Sequence, residues 1–115
     1  MTLQYGLIRK LNLKNMKLLT KELEKRFATI GRQEGNDNPL VIVKFFNPCG
    51  AQTWYATEYD SQRKEFFGYV KTIPNDLSEW GYFSLTELEE IRLPFGLKIE
   101  RDLYFTEQPI KNLIK

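Results

Sequence analysis

Three carboxylates, Glu58, Asp60 and Glu79, are the residues of this 115-residue chain best suited to acid–base chemistry. Carboxylates sharing a pocket divide into proton donor and acceptor, or hold a divalent cation through oxygen. Tyr55, Tyr82 and Arg101 are the polar groups that would complete such a site. Against this, the chain has no histidine and one cysteine, Cys49. Ser-His-Asp and Cys-His catalysis and imidazole metal ligation are therefore excluded within these residues. Cys49 lies in "NPCG", with no histidine to activate it, and reads as a spectator thiol. "GRQEGNDNP" (31–39) lacks the Gly-Lys-Ser/Thr ending of a phosphate-binding loop. No calcium-loop spacing surrounds any acid. The sequence thus names no catalytic residue, no metal ligand and no cofactor, and a small carboxylate-dependent enzyme is the weakest of three readings. Solvated acids at strand ends and in loops are the plainer account of Glu58, Asp60 and Glu79.

The rings offer a second chemistry. Trp54, Tyr55, Tyr59, Phe66, Phe67, Tyr69, Trp80, Tyr82 and Phe83 are concentrated in the middle of the chain. Such rings can stack the bases of a single-stranded nucleic acid, with Lys44, Arg63, Lys64 and Lys71 near the phosphates. "FFGYV" shares only fragments of the known sheet signature for RNA. At this length most of the rings are needed to fill a core.

The elements that must position these groups follow from periodicity. Leu18, Leu19, Leu23, Phe27 and Ile30 share one helical face, Thr20 is a suitable N-cap and Gly31 a C-terminal stop, predicting a helix over 20–30. "LVIVKFF" (40–46), "TWYATEYD" (53–60) and "EFFGYVKTI" (65–73) read as three strands of a meander, with Gly68 a bulge or close-approach point. Alternation places Trp54, Ala56 and Glu58 on one face of the second strand, and Thr53, Tyr55, Thr57 and Tyr59 on the other. "PNDLSEWG" (74–81) reads as a loop. Ser84 and Glu87 form an S-x-x-E capping box before a helical stripe over about 85–92. "LKIERDLYF" (97–105) alternates as a half-buried fourth strand, and "TEQPIKNLIK" reads as a tail with a final helical turn. The expected architecture is α+β: a mostly antiparallel sheet of about four strands, a three-stranded meander plus a C-terminal strand, with helices packed on one face.

Composition sets the outer limits. Apolar residues are 42%, aromatics 14% and charged residues 28%, as in a globular domain with a ring-rich core. The net charge of +2 is unevenly placed. Arg9, Lys10 and Lys14 lie in the first fifteen residues, which hold no acid; removing those three from the 17 basic residues leaves 14 against 15 acids. The body of the chain therefore lacks the basic excess of a strong nucleic-acid binder. The lone cysteine fits a reducing, cytoplasmic setting. No apolar run approaches the roughly 20 residues of a bilayer span, and no membrane role is expected. Residues 1–15 are expected to form a flexible extension, 16–108 a single domain and 109–115 a tail. "MKLLTKELEKRF" reads as the start of the folded unit, which makes Met16 an alternative start.

Taken in order, "VKFFNP", "TWYATEYD", "FFGYV", "EWGYFSLTELE" and "LKIERDLYF" resemble the DUF2958 family, small proteins of unknown function. The resemblance covers about residues 16–108, and members begin near the position of Met16. The family is similar to proteins encoded on phages, plasmids and other mobile elements, some near antirestriction or DNA-processing genes. It carries no established catalytic residue to this chain. The polar and aromatic positions of its pattern are Trp54, Thr57, Glu58, Glu79, Gly81, Tyr82, Glu100, Arg101 and Asp102. The favoured expectation is a non-enzymatic protein-binding module with a partner of unknown identity; the second is a single-stranded nucleic-acid binder. The binding residues expected are Trp54, Tyr55, Glu58, Asp60, Glu79, Trp80, Tyr82 and Arg101. Nothing in the sequence selects an oligomeric state.

Overall fold

The computed structural model describes residues 16–114. The expected extension 1–15 lies outside the described residues. The described chain is α+β, with helices α1 (Lys21–Ile30) and α2 (Leu85–Glu90). The strands are β1 (Leu40–Val41), β2 (Val43–Phe46), β3 (Thr53–Asp60), β4 (Glu65–Lys71), β5 (Glu79–Ser84), β6 (Glu100–Arg101) and β7 (Gln108–Pro109). The main sheet is antiparallel, in the order β5-β4-β3-β2-β6, and β1 pairs with β7 beside it.

Both helices begin at side-chain caps. Thr20 Oγ1 accepts from Leu23 N–H at 3.2 Å, and Glu22 and Glu24 sit in the first turn, where the helix dipole favours anions. Gly31 ends α1 at φ 67°, a conformation that suits glycine, and its N–H donates to Phe27 O at 2.8 Å. Ser84 Oγ accepts from Glu87 N–H at 3.2 Å and starts α2. Phe27 and Leu88 lower the two helices onto the same sheet face. There they meet Val43 and Phe45 of β2, Trp54 and Ala56 of β3, and Phe66 of β4. Phe66 is the hub: its centroid lies 4.8 Å from Tyr59, 5.2 Å from Phe45, 5.4 Å from Phe83 and 5.8 Å from Phe27. Each such ring pair adds about 0.5–1.5 kcal/mol beyond the area it buries.

The opposite face is covered in part by the chain's end. The segment read as a tail is packed structure: β7 leads into a 3₁₀ turn at Ile110–Asn112, and Ile110, 2% exposed, meets Val41 and Tyr55. Arg26 of α1 ties down the preceding loop through a two-pronged pair with Glu107, Nε to Oε2 at 2.9 Å and Nη2 to Oε1 at 2.8 Å.

Three expected elements differ. Residues 79–81, expected at the end of the 74–81 loop, instead begin a strand: β5 extends the meander and forms a sheet edge. The expected strand 97–105 reaches the sheet only at Glu100 and Arg101, opposite Phe46 and Phe45. Asp102 stops it: its carboxylate accepts from Tyr104 N–H at 3.0 Å, and Phe105 N–H turns back to Asp102 O at 3.3 Å. The strand expected over 40–46 is divided at Ile42, and each half pairs with a different sheet.

The alternation expected for β3 also fails beyond Ala56. Ala56 lies opposite Gly68, but Glu58 lies opposite Phe67, so Thr57 is an extra residue, a β-bulge. Tyr59 therefore joins Trp54 and Ala56 on the helix face, and Glu58 moves to the other. Gly68 is the close-approach point, because a Cβ there would overlap the Tyr55 carbonyl. Gly68→Ala is expected to cost about 3 kcal/mol in urea unfolding, as backbone must move to admit the methyl. Gly81, with open space around its Cβ position, serves as control, and Gly81→Ala is expected to change stability by no more than about 0.5 kcal/mol. Equal effects at the two sites would contradict the close approach.

Candidate functional site

The bulge creates the site. Thr57 is 1% exposed, and its hydroxyl donates to Phe67 O at 3.1 Å. Its own carbonyl accepts from Gln33 Nε2 at 2.8 Å. The same Nε2 donates to Leu40 O at 2.8 Å, and Gln33 Oε1 accepts from Leu40 N–H at 2.7 Å. The Gln33 amide thus stands in for a strand, bridging the start of β1 to the bulge. Each of these bonds is worth about 1 kcal/mol, and a buried carbonyl left unpaired would cost about 1–3 kcal/mol. Gln33 N–H donates to Glu58 Oε2 at 2.9 Å, which holds the loop after α1 over the sheet.

Between that loop and the sheet lies a groove of about 690 Å³. Its floor is the end of β3, where Glu58 and Asp60 now share a face with Glu65 and Phe67 of β4. Phe67, Trp80 and Tyr82 form one wall. Phe67 and Trp80 are nearly parallel, 17° apart with centroids at 5.9 Å, and Tyr82 meets Phe67 edge-on at 5.0 Å. Tyr69 meets Trp80 edge-on at 5.4 Å and extends the ring ladder along the sheet. Tyr82 is 71% exposed and Trp80 40%. Glu34 and Asp37 contribute further carboxylates, and Arg32 and Arg63 are the guanidinium groups of the lining.

Of the expected binding residues, Glu58, Asp60, Trp80 and Tyr82 come together here. The others are dispersed. Trp54, 5% exposed, is core beneath the helices, and Tyr55, 7% exposed, is covered by the C-terminal segment. Glu79 pairs with Val70 and lies outside the groove lining, so the carboxylate set Glu58, Asp60 and Glu79 does not form. Arg101 stands on β6, the opposite sheet edge from β5, roughly 19 Å away at four strand spacings. There its guanidinium donates to Lys17 O. Burial lowers the Arg101 pKa from its ordinary value. Among the described residues no three acidic or cysteine groups are placed to hold a metal ion. Cys49 is exposed, its N–H donating to Asn47 Oδ1 at 2.8 Å.

Sequence reasoning missed Glu65 and Gln33 as site residues, and named Phe67 only among the nine rings of the nucleic-acid reading. The alternation of "EFF" was a usable signal for Glu65 and Phe67 once β3 and β4 were paired. Gln33 carried none, because its role arises from a bulge.

The DUF2958 pattern, described as a protein of unknown function, matches residues 18–114. The chain belongs to the DUF2958 family. Among the described residues the match takes in every strand and both helices, so the groove and its ring wall lie wholly inside the family's domain. No curated protein and no solved structure matches the chain. No helix among the described residues is long and apolar enough to cross a membrane.

Burial raises the phenol of Tyr55 above the ordinary value of 10.0, with Asp102 adding to the effect. Tyr59, in the groove lining, is raised chiefly by burial, then by Glu24, Glu89 and Asp60. The folded state therefore holds both protons more tightly than the unfolded chain does. Their contribution to stability is intact below pH 10 and is lost as pH rises through the folded values. Urea midpoints measured across that range should fall above about pH 10 in the wild type, and less steeply in Tyr55→Phe and Tyr59→Phe. An alkaline slope unchanged in both variants would contradict the assignment.

Proposed function

We propose that the chain is a non-enzymatic protein-binding module that docks a partner through the β4–β5 face. The observation that supports this reading is the ring array Phe67, Tyr69, Trp80 and Tyr82, which ends in two exposed rings at a sheet edge. Clustered Trp and Tyr anchors beside a groove are the groups that dominate protein interfaces. β5 is paired on one side only among the described residues, so its outer backbone groups can receive an extended segment. A setting on a mobile genetic element, in counter-defence or DNA processing, rests on the family resemblance alone. A cytoplasmic location rests on the single cysteine.

Single-stranded nucleic acid is the alternative occupant, favoured by the same stacking surface. It is disfavoured by charge, because Glu58, Asp60 and Glu65 would repel phosphates at one end of the ladder. Lys44, at the next strand, is engaged by Asp102 at 3.6 Å. An enzyme built on Glu58 and Glu79 lacks the shared pocket it requires.

The test uses tagged wild type and a Trp80→Ala/Tyr82→Ala variant to capture partners from the same host lysate. A stoichiometric partner held by the wild type should be lost by the variant, each ring contributing about 2 kcal/mol or more if it is an anchor. Circular dichroism melts confirm that the variant is folded. No stoichiometric partner, or one held equally by both, would contradict the proposal.

A further inference from the structure

We propose that the groove receives an arginine side chain from a basic, extended segment of the docked partner, a refinement that rests on the docking reading above. Charge complementarity at a shaped, ring-walled cavity supports an arginine there. Five carboxylates and two guanidinium groups line it. Arg32 lies 3.9 Å from Glu34, Arg63 lies 4.0 Å from Asp60, and Lys111 lies 3.5 Å from Asp37. Glu58 and Glu65 have no cationic partner among the described residues, and one Glu58 oxygen is held by Gln33 N–H.

The register makes the imbalance deliberate in form. Asp60 and Glu65 are directly opposite across β3 and β4, and Glu58 lies on the same face one pleat away. Like charges directly opposite in a sheet are destabilising, and a bound cation relieves them. The neighbouring wall is aromatic, with Phe67 and Trp80 presenting nearly parallel rings. A guanidinium suits both surfaces at once: its plane stacks on a ring face, and its N–H fork pairs with a carboxylate. A lysine ammonium supplies charge without the plane. The volume, about 690 Å³, is ample for one arginine side chain.

The probe is a hexa-arginine peptide titrated against the full chain while tryptophan emission is followed. Trp54 is buried, so the response belongs to Trp80 and should vanish in Trp80→Phe. A saturable response is expected that weakens about tenfold in Glu58→Gln and in Glu65→Gln, further in the double variant, and with added salt. Glu58→Gln retains an oxygen for Gln33 N–H, and thermal melts confirm folding. Hexa-lysine should bind more weakly. The inference is overturned if hexa-arginine gives no saturable response or binds the double variant as well as the wild type. It is also overturned if spermidine, hexa-glutamate or oligo-dT binds as tightly. Should hexa-arginine fail while Trp80→Ala/Tyr82→Ala still abolishes partner capture, the arginine inference falls and the docking reading stands. A carboxylate-dependent hexa-arginine response with no captured partner does the reverse: the groove keeps its preference and the docking reading falls.

Discussion

One residue too many on β3 governs the rest of the molecule. Up to Ala56 the strand alternates regularly, with Trp54 and Ala56 under the helices and Tyr55 on the other face. A regular continuation would send Glu58 into the aromatic core beside Phe66 and turn Tyr59 outward. Burying that carboxylate among rings without a partner would cost several kcal/mol. Inserting Thr57 inverts the alternation, so Tyr59 completes the ring cluster and Glu58 reaches the groove. The bulge is tolerated because its polar groups are answered: the hydroxyl by Phe67 O, the carbonyl by Gln33. Gly68 gives the space, and the Gln33 amide gives the missing strand.

The same device links stability to the site. The loop after α1 is held over the sheet by Gln33, whose backbone N–H also orients Glu58. The groove roof is thereby attached to the bulge that forms its floor. The opposite end of that sheet face is closed by the C-terminal segment, with Ile110 against Tyr55 and Val41. Between these two covers Trp80 and Tyr82 of β5 remain exposed. Open aromatic surface beside unneutralised carboxylates is an arrangement that core packing does not require, which is why the account of function rests there.

Much of the architecture was legible because local signals and tertiary packing agree. Thr20 and the Leu19, Leu23, Phe27, Ile30 spacing mark α1, Ser84 marks the start of α2, and the β-branched and aromatic runs mark β2, β3 and β4. β5 was hidden because Gly81 and the preceding Pro, Asn, Asp and Ser resemble loop composition, although Trp80 and Tyr82 alternate with Gly81 and Phe83. The 97–105 run alternates well, yet Asp102 bonds its own backbone and turns the chain. The candidate site was half legible. Glu58, Asp60, Trp80 and Tyr82 stand in it, while Trp54 is covered by the helices, Tyr55 by the C-terminal segment, Glu79 lies opposite Val70 outside the groove, and Arg101 stands on the far sheet edge. A bulge leaves no periodic trace in a single sequence; it appears only when two strands are aligned against each other.

The inverted alternation after Thr57 is tested most directly by nuclear Overhauser contacts on the full chain. Contacts are expected from the Glu58 side chain to the Phe67 ring and from the Tyr59 ring to the Phe66 ring. Contacts from Glu58 to Phe66, with Thr57 opposite Phe67, would mean a regular strand and would contradict it.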